Sequence, residues 1–279
     1  MSTGLSAVQN AEFNSQVKAA YQTAGNLTGL CRIKTGVVGA SHEFRRAQRG
    51  MATRRVPQTN VVPMGTGYGK ATAYLTDWNA AEYTDVFDQA KTSVEERGVV
   101  AENIAGAIGR RRDQLKLDAL DAANPSPTIG VNIGGTNTGL NFAKLLAAFE
   151  LMNRRAIPLD KRILVISARQ QTDLLGVEQF TSGDYVQKLA ITDGKLPPLL
   201  GFKPVIIEDR DEGGLAVSSQ VRTCFAYDMD ALGEAVGMEP RTEVNYIPEK
   251  TSWLANGLFS AGAVVIDPAG VIELACYES

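Results

Sequence analysis

HEFRRAQRGMATRRVPQTN, residues 42–60, places five arginines within eleven positions: Arg45, Arg46, Arg49, Arg54 and Arg55. A single acid, Glu43, stands beside them, in a chain of 279 residues whose formal net charge is −3. The charge is partitioned. Residues 31–70 hold eight Lys/Arg and one acid, a net of +7, so the rest of the chain carries a net of −10. On either side of the cluster, CRIKTGVVGASHEF (31–44) and NVVPMGTGYGKATAYLTDW (60–78) alternate as strands do, interrupted by glycine and proline. A basic two-stranded arm with few large apolar residues buries too little surface to stand as a domain, so it must lie against something. The −10 body of an identical neighbour attracts it, and the planar fork of arginine pairs well with carboxylates. A nucleic-acid module built on 42–55 is the competing reading. Only Phe44 and Tyr68 supply aromatic platforms there, and the chain's pI of about 5.4 opposes general affinity for DNA.

Downstream, TSVEERGVVAENIAGAIGRRRDQLKLDALDAA (92–123) predicts a long helix over 94–123. Val100, Ile104, Ile108, Leu115 and Ala119 trace an apolar stripe with one register shift, and Glu95 and Glu96 suit the positive end of the helix dipole. Its length would be about 40 Å. The triplet Arg110, Arg111 and Arg112 reads as a solvated face paired with local acids. Before the basic arm, residues 5–24 carry Phe13, Val17 and Tyr21 at helical spacing. After the long helix come a Gly-rich turn, a helix from about Thr138 to Arg154, a strand at KRILVISA and a helix at ARQQTDLLG. A strand at PVIIE follows, then a strand and helix across VRTCFAYDMDALGEAVG, a strand at RTEVNYIPE, and two strands around Asp267-Pro268-Ala269-Gly270. Helices mixed with antiparallel pairs make the fold class α+β.

Chemical machinery is sparse. His42 is the sole histidine, which leaves no imidazole set for a metal. Cys31, Cys224 and Cys276 are odd in number and far apart, as expected of reduced thiols in a cytoplasm. Asp228, Asp230 and Glu234, like Glu208, Asp209, Asp211 and Glu212, read as solvated turns, since no calcium-loop spacing is present. Ser167 and Ser182 lack a nucleophile-elbow setting. Gly134 to Gly139 precede a helix and suggest a phosphate- or nucleotide-binding enzyme, but the Walker Gly-Lys-Ser/Thr ending is missing. The plainer reading there is a linker with Asn137 or Thr138 as helix cap. No catalytic, cofactor or metal site is expected. No apolar run approaches bilayer length and the N-terminus does not read as a secretory signal, so no membrane partner is expected.

Three stretches in this order carry a family resemblance. They are RIKTGVVGASHEFRRAQRGMATRRVPQTNVVPM with LTDWNAAEYTDVFDQ, then VAENIAGAIGRRRDQLKLDAL, then FAYDMDALGEAVGMEPRTEVNY with GAVVIDPAGVIELACY. Together they resemble the major capsid (coat) proteins of tailed bacteriophages, with the Hong Kong ninety-seven type of fold. The resemblance implies an N-terminal arm over 1–33 and an extended loop over 34–80. It implies a peripheral domain from 81–127 and 236–279 with its spine helix at 94–123, and an axial domain over 128–235, with 193–202 near its tip. It implies a structural protein and not an enzyme, which self-assembles into pentamers and hexamers of an icosahedral head around double-stranded DNA, bound without sequence specificity. A separate scaffolding protein is expected, because the chain begins almost at the arm; cement and portal proteins are further partners. Assembly in the host bacterial cytoplasm and residence in the virion follow from the same resemblance. Arg45, Arg46, Arg49, Arg54 and Arg55 are then expected to contact adjoining subunits.

Overall fold

A computed structural model describes residues 25–87, 96–123, 129–177, 196–209 and 212–278. The helix expected over 5–24 and the first residues of the loop at 193–202 lie outside them. The strands, in chain order, are β1 (Arg32–Lys34), β2 (Ser41–Ala47), β3 (Tyr68–Tyr74), β4 (Thr76–Asp85), β5 (Arg162–Ser167) and β6 (Phe202–Ile207). They continue with β7 (Val217–Ser218), β8 (Val221–Asp228), β9 (Leu232–Ile247), β10 (Ser252–Val265) and β11 (Val271–Tyr277). The α-helices are α1 (Glu96–Ala122), α2 (Phe142–Arg154) and α3 (Ala168–Leu175).

Two sheets and a hairpin organise these elements. The first sheet runs β1-β9-β10-β4; the second runs β11-β8-β5-β6, with the short β7 on β8; β2 and β3 form the hairpin. Every residue of β5 is buried, as expected of a strand covered on both faces. It contributes to the main core with Leu145, Ala148 and Met152 of α2, Leu174 of α3 and Leu274 of β11.

Helix α1 joins the two sheets, and its sequence says how. Val100, Ile104 and Ile108 pack with Val236, Phe259 and Ala261 on the first sheet. Leu117 and Leu120 enter the main core instead. Between them the buried positions are Asp113 and Lys116, both with no exposed surface. The apparent register shift of the apolar stripe is this stretch. The buried positions step from Ile108 to Asp113 and then to Lys116 and Leu117, and the first two after Ile108 are charged. Gly257 of β10 lies beneath the helix, where a Cβ would overlap Ile104 and Ile108; a side chain there would push the helix off the sheet.

Two sequence expectations need correction. ALGEAVG is not a helix: after a 3₁₀ turn at Met229–Ala231 it opens β9, a single strand of 16 residues that also absorbs the strand expected at RTEVNYIPE. Pairing with β10 along nearly its whole length, and with β1 at Gly233–Ala235, outweighs the local helical preference. Second, α2 begins at Phe142 with Asn141 as its cap, accepting from the Lys144 amide at 2.9 Å, and not at Asn137 or Thr138. The two strands expected around Asp267–Gly270 are present as β10 and β11. β10 stays in the first sheet, whereas β11 crosses to β8, with Leu274 opposite Cys224, and Ile129 bridges to Leu274. β4 begins at Thr76 and pairs with β10.

The end of β11 is pinned by charge. Glu278 accepts from Arg222 Nη2 at 3.0 Å and from Gln170 Nε2 at 2.8 Å. Burial pushes its carboxyl up, but these hydrogen bonds and the Arg222 charge outweigh that and hold it below the ordinary value of 4.5. A depressed carboxyl contributes stability above its unfolded pKa and loses it as the pH falls through the folded value. Glu278→Gln is therefore expected to cost about 2 kcal/mol at neutral pH. The difference from wild type should shrink progressively below pH 4.5, as followed by urea unfolding in an acid series.

Candidate assembly surface

The basic stretch begins on β2, and strand alternation sorts its side chains. Phe44 points inward and is buried against Ala73, Ala235 and Ile266; the bare Cα of Gly233 leaves room for its ring. His42 packs edge-on to Phe44, with centroids 4.7 Å apart. Arg46, on the same inward side, pairs with Asp267 of the body. Arg49, just beyond the strand, donates to the carbonyl of Arg155 at the end of α2. These two arginines, expected on a neighbour, are held by their own chain. They lie near the hairpin's buried root, so the body's acceptors are within reach.

The outward side differs. Glu43 pairs with Lys70 at 2.6 Å, and the hydrogen bond from that lysine holds its carboxyl below the usual value. Arg45 lies directly opposite Lys70 in the hairpin register and forms no ion pair with another described residue. Past Ala47 the pairing ends at the bond from Gln48 N to Gly67 O. Residues 48–65 form no strand and are exposed throughout. This segment carries Arg54 and Arg55, also without an ion pair among the described residues. It sets Met51, Val56, Val61, Val62 and Met64 in solvent, Met51 at 83% and Val61 at 85% exposure. The composition of 31–70 pointed to charge; the apolar half of the surface was missed, because five scattered residues show no period.

A second exposed surface lies at the far end of the first sheet. β1 covers the outer edge of β9 only as far as Ala235, and the residues from Met238 to Tyr246 are exposed. They include Glu239 and Glu243 together with Met238, Val244 and Tyr246.

The arginine triplet of α1 is not a solvated face. Arg112 Nε donates to Glu234 Oε1 at 2.8 Å, and Arg111 lies over the Trp78 ring at 3.5 Å while pairing with Glu212 at 3.3 Å. Nor is Glu234 in a solvated turn: it is buried, with Lys116 Nζ at 3.4 Å and the Cys31 thiol at 3.6 Å. The sequence signal for this was Asp113 and Lys116 falling on the inward side of α1.

The glycine-rich turn has a structural use. Lys144 donates from Nζ to the carbonyls of Thr138 (2.6 Å), Gly139 (2.9 Å) and Ala275 (2.8 Å), and burial lowers its pKa. The turn aims carbonyl oxygens at a lysine, where a phosphate loop would aim amides at an anion. Among the described residues no three His, Cys, Asp or Glu side chains are placed to hold a metal, and no helix is long and apolar enough to cross a membrane.

The family model described as phage capsid protein matches residues 5–278. No curated protein matches at a significant level. Among solved structures, the fold is similar to that of the capsid of cyanophage P-SCSP1u, with a TM-score of 0.75 at 16% identity, covering 95% of this chain and 91% of that one. The acid-stable capsid of Helicobacter pylori bacteriophage KHP30 gives 0.73 at 10% identity, covering 94% of each chain. The head of H. pylori bacteriophage KHP40 gives 0.72 at 10%, covering 95% and 94%. The α+β architecture is thus that of tailed-phage capsids, and with a family match over nearly its whole length the chain belongs to the phage capsid protein family.

Proposed function

We propose that this protein is the shell-forming subunit of an icosahedral phage head, assembling with itself into pentamers and hexamers. The observation that carries the reading is the segment 48–65, which presents cationic and apolar side chains together on a stretch that is exposed among the described residues. Exposed apolar side chains gathered in this way mark a surface that another molecule covers. Arg45, Arg54 and Arg55 pair with acids of the adjoining copy, while Arg46 and Arg49 root the hairpin in its own body. The exposed end of β9 suits the receiving role: Glu239 matches the charge, beside Glu243, which pairs with Arg241 at 3.1 Å, and Met238, Val244 and Tyr246 match the apolar side chains.

In this plan residues 1–33 form the arm and 34–75 the extended loop. The first sheet and the N-terminal half of α1 form the peripheral unit. The second sheet, including β11, forms the axial unit. A scaffolding protein, portal and cement proteins and packaged double-stranded DNA complete the list of partners, with assembly in the host cytoplasm. Each contact is weak alone, and closure of the lattice supplies the cooperativity. Negative-stain microscopy of the purified, expressed chain tests the reading. Shells or capsomer rings are expected; a monomer at every concentration, alone and with the phage's scaffolding protein, would overturn it.

A further inference from the structure

Between the root of the hairpin and the body lies an open cleft of about 400 Å³, lined by Arg32, Arg45, Arg46, Arg49 and Arg155, with Asp228, Asp230 and Asp267 also on its walls. The acids do not neutralise the arginines evenly. Asp267 is taken by Arg46 and Asp230 by Lys161 at 2.8 Å. Asp228 has one carboxylate oxygen buried without a hydrogen-bond partner, and burial pushes its pKa up. Arg49 has a carbonyl as its partner, which satisfies a donor without cancelling the charge. Arg32, exposed on β1, forms no ion pair with another described residue. Like charges gathered at one cleft repel one another. The hairpin is anchored by Phe44 together with Arg46 and Arg49, so its attachment does not depend on Arg32.

We propose that this cleft is an anion site for a phosphate group, with Arg32 and Arg49 as its binding residues and Arg46 as its wall. Guanidinium groups approaching from β1 and from the end of β2 suit a tetrahedral oxyanion, which offers acceptors in several directions, while Arg155 on the same wall donates to the carbonyls of Ala269 (2.6 Å) and Val271 (3.4 Å). A single carboxylate offers two, in one plane. The phosphate arrives either as a small free anion or as the backbone of a nucleic acid, and the chemistry at the arginines is the same.

The test uses the unassembled full chain at constant ionic strength, titrated calorimetrically with inorganic pyrophosphate and, separately, with a short DNA duplex. Saturable binding of at least one of them is expected, with affinity reduced at least tenfold by Arg32→Gln combined with Arg49→Gln and reduced measurably by Arg32→Gln alone. The control variant, Arg54→Gln with Arg55→Gln, removes the same charge outside the cleft and should retain wild-type affinity. Pyrophosphate binding alone would identify a small anion as the ligand; duplex binding with the same arginine dependence would identify a nucleic-acid phosphate. Absence of saturable binding by either probe, or an equal loss in the Arg54/Arg55 variant, would overturn the site.

Discussion

A subunit carrying Arg45→Ala, Arg54→Ala and Arg55→Ala is expected to fold and to form no shells. All three side chains are exposed and without an ion pair among the described residues, so their loss should change the unfolding free energy by a few tenths of a kcal/mol at most. Between copies the effect is larger. An exposed ion pair contributes about 0.2–1 kcal/mol, so three lost pairs weaken each contact by about 0.6–3 kcal/mol. A closed lattice repeats that contact in every subunit, and a modest loss at each becomes failure of the whole. Size-exclusion chromatography with negative-stain microscopy reads the outcome, and particles in normal yield would refute the loop-pairing account. Raising the salt concentration should mimic the variant in the wild type, because exposed pairs are screened. Alanine at Arg46 should act differently, since it breaks a contact within the chain and loosens the hairpin root.

The second large effect is in stability. Glu234→Ala should cost about 3–5 kcal/mol in urea unfolding, because it leaves Arg112 and the fully buried Lys116 without their carboxylate. The site joins α1 to the start of β9 and, through Cys31, to the chain entering β1. Close by, Asp113 accepts from the amides of Asn26 (2.7 Å) and Leu27 (3.1 Å), fixing where the N-terminal region meets the body. Burial pushes the Cys31 thiol up to about 12, so it acts here as a neutral donor toward Glu234. Replacing Glu234 and Lys116 together by methionine should recover part of the loss, because the cost arises from the uncompensated cation and not from the missing attraction. A double variant as unstable as Glu234→Ala would contradict that explanation.

The sequence by itself determined the elements whose cause is local. The partition of charge located the arm. The spacing of Val100, Ile104 and Ile108 located α1, and the β-branched run of RILVIS located a buried strand. The order of these stretches was enough for the family. Only the tertiary structure decided which of the five arginines remain available, since that depends on Asp267 and on the Arg155 carbonyl, each more than a hundred residues away. It also decided that residues 232–247 are one strand, that β11 joins β8, and that the charged residues of α1 face inward. In each case the deciding energy comes from a partner remote in sequence: a ladder of backbone hydrogen bonds, or a counter-charge in a low-dielectric interior. Local propensity, worth a few tenths of a kcal/mol per residue, yields to both.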